Sequence, residues 1–202
     1  MNRKALAAGL LIGLGCIVNL SVDNRYIGAL LFSLGLYFIC KYGLDLYTGK
    51  CGYAANWNLG LARILLLNLV GISAACLLAG AAHPALASAA SGSIAAKLAK
   101  PWLAYAVDSV FCGVLMFLAV DCFSNRREGP ARNALSILFA VPCFILSGFE
   151  HSVANMGYLA LAIPALTLSQ ILSAALYVLL SVIGNLLGSA AVMLLLKEAK
   201  SS

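Results

Sequence analysis

The sequence predicts an all-α integral membrane protein. Hydrophobic residues make up 63% of the 202-residue chain and charged residues only 10%, so a soluble domain of this composition would expose large apolar areas. Apolar stretches of about 20 residues, long enough to cross a bilayer as a helix, recur from end to end. Since no polar block is large enough for a soluble domain, we predict a single transmembrane domain over residues 1–202 that is embedded in the lipid bilayer.

Six membrane-crossing helices are predicted from the apolar runs. They lie at about 5–22, 27–48, 61–82, 101–123, 133–162 and 170–196. The first run begins near Ala5 and shows no small-residue cleavage site followed by a polar chain. We therefore expect a retained helix and not a removed signal peptide.

The net charge of +6 is explained by membrane topology, and a nucleic-acid partner is not expected. With the N-terminus in the cytoplasm, the predicted segments place more basic residues on the cytoplasmic side than outside, as the positive-inside rule requires. The cytoplasmic set is Arg3, Lys4, Lys50, Arg63, Arg126, Arg127, Arg132, Lys197 and Lys200, and the outer set is Arg25, Lys97 and Lys100. This distribution predicts a multi-pass protein with both termini cytoplasmic.

Two short motifs interrupt the second and fifth segments in the same way. Gly43 is followed two residues later by Asp45, and Gly148 is followed two residues later by Glu150. Paired interruptions at corresponding positions indicate a site built from discontinuous helices. Non-helical backbone at membrane depth is tolerated only where it is buried or lines a cavity, so we predict that the second and fifth helices are broken around such a cavity.

The six segments divide into two sets of three. The first repeat covers about residues 5–82 and the second about 101–196. Because three is an odd number of crossings, the second set must be inserted upside down relative to the first. The sequence therefore predicts two inverted three-helix repeats.

His151 follows Glu150 directly and lies at membrane depth, where ionisable side chains usually line a pathway. Histidine titrates near neutrality and both ring nitrogens can donate or accept, so it can pass a proton to a bound group. A neutral species avoids most of the desolvation cost that a charged species meets among apolar side chains. His151 thus either donates a proton or supplies only a polar waist. The carboxylate of Glu150 either orients the imidazole ring or holds backbone donors of the break.

Several motifs carry a resemblance to a known family. They are Ser147–Met156 (Ser-Gly-Phe-Glu-His-Ser-Val-Ala-Asn-Met), Phe32–Leu36 followed by Gly43–Gly49, Asn68–Gly71, and Gly184–Gly188. In this order the motifs resemble those of the formate/nitrite transporter family, which consists of pentameric channels for small monovalent anions. The resemblance covers almost the whole chain.

The resemblance implies a homopentamer in which each protomer has its own pore and an aquaporin-like six-helix fold. It implies that His151 is the central pore histidine, with Thr48 and Asn185 near it. It places the apolar constrictions at Phe32, Leu36, Leu46 and Phe144. It also implies an anion-attracting lysine in the outer vestibule, for which Lys97 and Lys100 are both candidates, and the spacing to Gly113 slightly favours Lys100.

The function implied is that of a channel or facilitator for formate, nitrite or hydrosulfide in the cytoplasmic (inner) membrane of a bacterium. Two other classes are weighed: a membrane enzyme that uses cysteines or His151, and a non-conducting structural or regulatory subunit. The chain lacks an asparagine that the family carries near Phe117, which favours the subunit. The seven cysteines show no metal-binding spacing, so we expect packing residues, no metal, no cofactor and no enzymatic activity.

Lys41 is an unexpected charge inside the second predicted segment. It lies four residues before Asp45, a spacing that puts both side chains on one face of a continuous helix. We expect either a Lys41–Asp45 ion pair that fixes the break or a second cation near the pore. Asn68 is expected to tie the broken helices together.

Overall fold

The computed structural model describes residues 2–53, 59–124 and 129–199. Within these ranges the chain forms helices and no strand. The helices are α1 Asn2–Ser21, α2 Arg25–Lys41, α3 Tyr47–Lys50, α4 Leu59–Ala82, α5 Pro84–Leu98, α6 Trp102–Ser124, α7 Pro130–Leu146, α8 Ser152–Ala162 and α9 Leu168–Ala199. Short 3₁₀ turns at Cys51–Tyr53 and Ile163–Ala165 follow α3 and α8.

Helix length separates two kinds of element. In the described part of the chain, four helices are long and apolar enough to cross a membrane: α1, α4, α6 and most of α9. In contrast, α2 and α7 have 17 residues each, and each is followed by a few non-helical residues and another helix. We call residues 42–46 the first connection and residues 147–151 the second connection.

Helix α5 lies in a stretch to which the sequence reasoning assigned no element. The segment is rich in alanine and serine and lacks the long apolar run that marks a crossing. Pro84 occupies its first turn, where a missing backbone N–H costs nothing. Since α5 packs against α8, it carries Lys97 to the second connection.

The two halves of the chain pack their long helices in the same way. Helix α1 packs along α4, and α6 packs along α9. Gly71 of α4 lies against the backbone of α1, and Gly188 of α9 lies against the backbone of α6. Without a Cβ at these positions the helix axes can approach closely.

The outer surface of the bundle is apolar. Leu78, Phe139 and Leu195 are 74%, 72% and 67% exposed, as suits a face covered by lipid or by another copy of the chain. Of the basic residues used to predict topology, Arg126, Arg127 and Lys200 lie outside the described residues. The orientation of the termini therefore remains a prediction.

Candidate functional site

The helices before both connections end in the same turn. Gly43 and Gly148 have positive φ angles of 59° and 73°, in the left-handed region that glycine enters without strain. In both turns the amide of the residue after the glycine donates to a carbonyl five positions earlier, at 2.9 Å. This is the Schellman arrangement that ends a helix, so the glycines noted in the sequence set where α2 and α7 stop.

Asn68 holds the first connection. Its Oδ1 accepts the backbone N–H of Tyr47 at 2.8 Å. Its Nδ2 donates to the carbonyls of Asp45 at 3.0 Å and Ala5 at 2.7 Å. The fully buried amide thus bonds backbone groups of the first connection, of α3 and of α1. That it ties the broken helix together stays a prediction.

Asn185 holds the second connection with the same three bonds. Its Oδ1 accepts the N–H of Ser152 at 2.8 Å, and its Nδ2 donates to the carbonyls of Glu150 at 2.9 Å and Ser109 at 2.8 Å. The side chain is therefore committed to backbone groups. It does not line either of the two cavities described below, although it was expected near the pore.

His151 joins the two connections. Its Nε2 lies 2.9 Å from Oγ1 of Thr48, which follows the first connection. Its Nδ1 accepts the N–H of Ala154 at 3.0 Å and so caps helix α8. Because Nδ1 is the acceptor, the neutral ring carries its proton on Nε2 and donates it to Thr48.

Apolar side chains flank this His151–Thr48 contact. The ring of Phe144 stacks on the imidazole at 5.4 Å and meets Phe32 edge-on at 6.0 Å. Leu36 and Leu46 are buried and line a cavity next to the first connection. The four residues expected to form constrictions therefore divide into an aromatic pair and a leucine pair.

Two cavities approach the site. The larger, about 630 Å³, adjoins the first connection and includes Leu36, Leu46 and Lys50. The smaller, about 300 Å³, adjoins the second connection and includes His151 and Lys97. We call them the leucine cavity and the histidine cavity.

Glu150 is buried in a cluster of cations. Oε2 lies 2.5 Å from Nζ of Lys97 and accepts Nδ2 of Asn155 at 3.0 Å. Oε1 accepts Nζ of Lys100 at 2.8 Å. No bond from this carboxylate to His151 occurs in the part of the chain that the structure describes. The expectation that Glu150 orients the ring is therefore wrong, because the lysines draw the carboxylate to themselves.

The two candidate vestibule lysines have different surroundings. Nζ of Lys100 also donates to Asp108 at 2.7 Å and to the carbonyl of Gly148 at 2.6 Å. With the bond to Glu150, the ammonium of Lys100 therefore has three acceptors within the protein. Lys97 lines the histidine cavity, whereas Lys100 does not. The geometry thus favours Lys97 over the residue that the spacing favoured.

Asp45 pairs with Lys50 and not with Lys41. Its carboxylate lies 3.4 Å from Nζ of Lys50, and no Lys41–Asp45 ion pair occurs within the described ranges. The predicted pair is wrong because α2 ends at Lys41 and the chain turns at Gly43, so the four-residue helical spacing no longer applies. Lys41 also lines neither cavity.

Three residues at the site had no role assigned from the sequence. Asn155 binds Glu150 and also donates to the hydroxyl of Tyr105 at 2.7 Å. Asp108 neutralises Lys100, and Arg25 lines the histidine cavity. The available signals were the asparagine in the fifth-segment motif, an acid inside the fourth segment, and a cation beginning the second helix.

Among the described residues, no group of three or more His, Cys, Asp or Glu side chains could hold a metal ion. Cys51 is buried with its thiol 3.4 Å from the hydroxyl of Ser189, a packing position between helices.

Fold and site together define a helical membrane protein with one cavity beside each connection and a His151–Thr48 contact that joins the two connections. A model of the formate/nitrite transporter family matches residues 1–198, and the chain belongs to that family. This confirms the resemblance read from the motifs. The family is one of formate and nitrite transporters, which agrees with the transport function expected from the sequence.

Curated relatives include the nitrite transporter NirC of Salmonella typhimurium strain LT2, 31% identical, and that of Escherichia coli K12, 29% identical. Both alignments cover 77% of this chain and 65% of the relative, so the chain spans about two thirds of those proteins.

Two solved structures share the fold. One is described as an FNT family ion channel, with a TM-score of 0.80, 27% identity, and coverage of 95% of this chain and 86% of that one. The other is a pentameric formate channel with formate bound, with a TM-score of 0.80, 21% identity, and coverage of 98% and 95%.

Proposed function

We propose that the chain is a channel or facilitator for a small monovalent weak-acid anion such as formate, nitrite or hydrosulfide. The observation that carries the proposal is the His151–Thr48 contact, which lies between apolar side chains and has a cation-bearing cavity at one end. Apolar constrictions resist the passage of salt and water. A polar waist with a hydrogen-bond donor lets a small acid or anion cross between them.

Passage is proposed to begin in the histidine cavity. There Lys97 raises the local concentration of anions through its positive potential. At the waist the substrate accepts the Nε2–H of His151 in place of the Thr48 oxygen. It then leaves through the leucine cavity.

His151 is proposed to act as a hydrogen-bond donor that stays neutral. A proton relay through the ring would require Nδ1 to take up a proton when Nε2 releases one. Nδ1 already accepts the N–H of Ala154, so a proton there would face another N–H and remove the cap of α8. This favours the polar-waist role over proton donation.

The proposed architecture is six membrane crossings in two inverted repeats, with α2 plus α3 and α7 plus α8 each forming one broken crossing. The matching bonds of Asn68 and Asn185 support the repeat. We further propose a homopentamer in the inner membrane with both termini cytoplasmic. The exposed apolar faces and the pentameric state of the related formate channel support the oligomer.

The test is uptake of formate, nitrite and hydrosulfide into proteoliposomes from pH 5 to 8, compared with protein-free vesicles. Wild type is expected to carry at least one of them with pH-dependent flux, and His151→Phe is expected to lose it. Absence of flux from folded, oligomeric wild type would contradict the proposed function and favour a non-conducting subunit.

A further inference from the structure

Arg25 lines the histidine cavity together with Lys97 and His151. It is the first residue of α2. Nη2 of its guanidinium donates to the carbonyl of Leu146, the last residue of α7, at 3.1 Å. This exposed bond places the guanidinium beside the ends of two helices and uses only part of its N–H donors.

The charges around the cavity distinguish Arg25 from the lysines. Lys97 shares the carboxylate of Glu150 with Lys100, and Lys100 also binds Asp108. In contrast, the described residues provide Arg25 with a neutral carbonyl and no carboxylate within ion-pair distance. Asp23 is exposed and lines the same cavity, so its negative charge opposes that of Arg25 without pairing with it directly.

We infer that Arg25 forms an anion-capture subsite in the histidine cavity that selects planar two-oxygen anions. A guanidinium presents parallel N–H groups that match both oxygens of a carboxylate-like anion, whereas an ammonium acts as a point charge. Formate and nitrite each carry two oxygens on one atom in a bent, planar shape. Chloride and hydrosulfide each offer one acceptor atom, so they cannot accept two parallel N–H groups of the guanidinium at two separate atoms.

This inference rests on the proposed function and also names a preference within its substrate class. The residue acts by concentrating and orienting the anion before it reaches Lys97 and His151. Substitution of Arg25 should therefore change the half-saturating concentration of uptake. The maximal rate is set at the His151–Thr48 contact.

The experiment measures labelled formate uptake against formate concentration at low ionic strength, with protein-free vesicles subtracted. Wild type, Arg25→Lys and Arg25→Gln are compared, and Lys41→Gln removes a charge that lines neither cavity. Arg25→Gln is expected to raise the half-saturating concentration about threefold to tenfold, and salt is expected to reduce this difference. Lys41→Gln is expected to match wild type.

Competition experiments distinguish the effect of the guanidinium geometry of Arg25 from the effect of its positive charge. In wild type, nitrite is expected to inhibit formate uptake better than chloride does, and Arg25→Lys is expected to narrow that preference. The inference is overturned if Arg25→Lys keeps the full preference, or if Arg25→Gln lowers the maximal rate with unchanged half-saturation. A wild type without flux would instead overturn the proposed function.

Discussion

The two connections share a scaffold and differ in chemistry. Both follow a glycine with positive φ, and both are held by an asparagine that bonds the same three kinds of backbone group. Yet Leu46 stands before α3 where His151 stands before α8. The asparagines and glycines thus build both interruptions, and the residue before the second helix sets whether the interruption presents an apolar side chain or an imidazole.

The acids of the two connections differ just as much. Asp45 pairs with Lys50, whose side chain is 48% exposed. Glu150 is 1% exposed and is shared by two lysines. Because solvent screens the first pair, it contributes little to stability, whereas the second lies in a low-dielectric setting where the loss of one partner is costly.

The largest expected effect is loss of either asparagine. Asn68→Leu and Asn185→Leu each remove three hydrogen bonds to buried or partly buried backbone groups, which we expect to cost about 3 kcal/mol or more of folding free energy. The measurement is thermal stability of the purified protein in detergent, with Asn19→Leu, which removes one partly buried hydrogen bond, as the control. If one asparagine proved dispensable while the other did not, the shared scaffold would be refuted.

The acids are expected to respond unequally. Glu150→Gln removes the carboxylate that Lys97 and Lys100 share, and we expect it to lower the free energy of unfolding by about 2–4 kcal/mol. The figure is set below that for a fully buried ion pair because both lysines are partly exposed to solvent. Asp45→Asn should cost about 1 kcal/mol or less. Chemical or thermal unfolding of both variants under one set of conditions checks this, and equal losses would remove the distinction.

Part of this comparison was predictable from the sequence. The glycine followed by an acid, repeated in two segments, located both connections because left-handed turns favour glycine and few residues end an apolar helix so abruptly. The need of Asn68 for hydrogen-bond partners was also predictable, since a buried amide at membrane depth needs them.

The ion-pair partners and the cavity-lining lysine depended on the direction of the chain and of its side chains, which sequence spacing alone does not specify. The Lys41–Asp45 expectation assumed a helix that continues past Lys41, and the chain turns there instead. The different positions of Lys97 and Lys100 depend on α5, whose alanine-rich sequence gave no signal of a membrane crossing but which places Lys97 at the histidine cavity.

A similarly small effect on stability is expected from loss of the helix cap at His151. This variant distinguishes the structural role of His151 from its proposed role in anion passage. Helix α8 has a side-chain cap from His151, whereas α3 has none from Leu46. His151→Ala should cost about 1 kcal/mol through loss of the cap, and His151→Asn should recover most of that because asparagine is a good N-cap residue. Neither variant supplies the ring Nε2–H, so both should lose anion flux. Melting curves and proteoliposome uptake on the same preparations test this, and flux that tracks stability across the two variants would mean that His151 serves the helix alone.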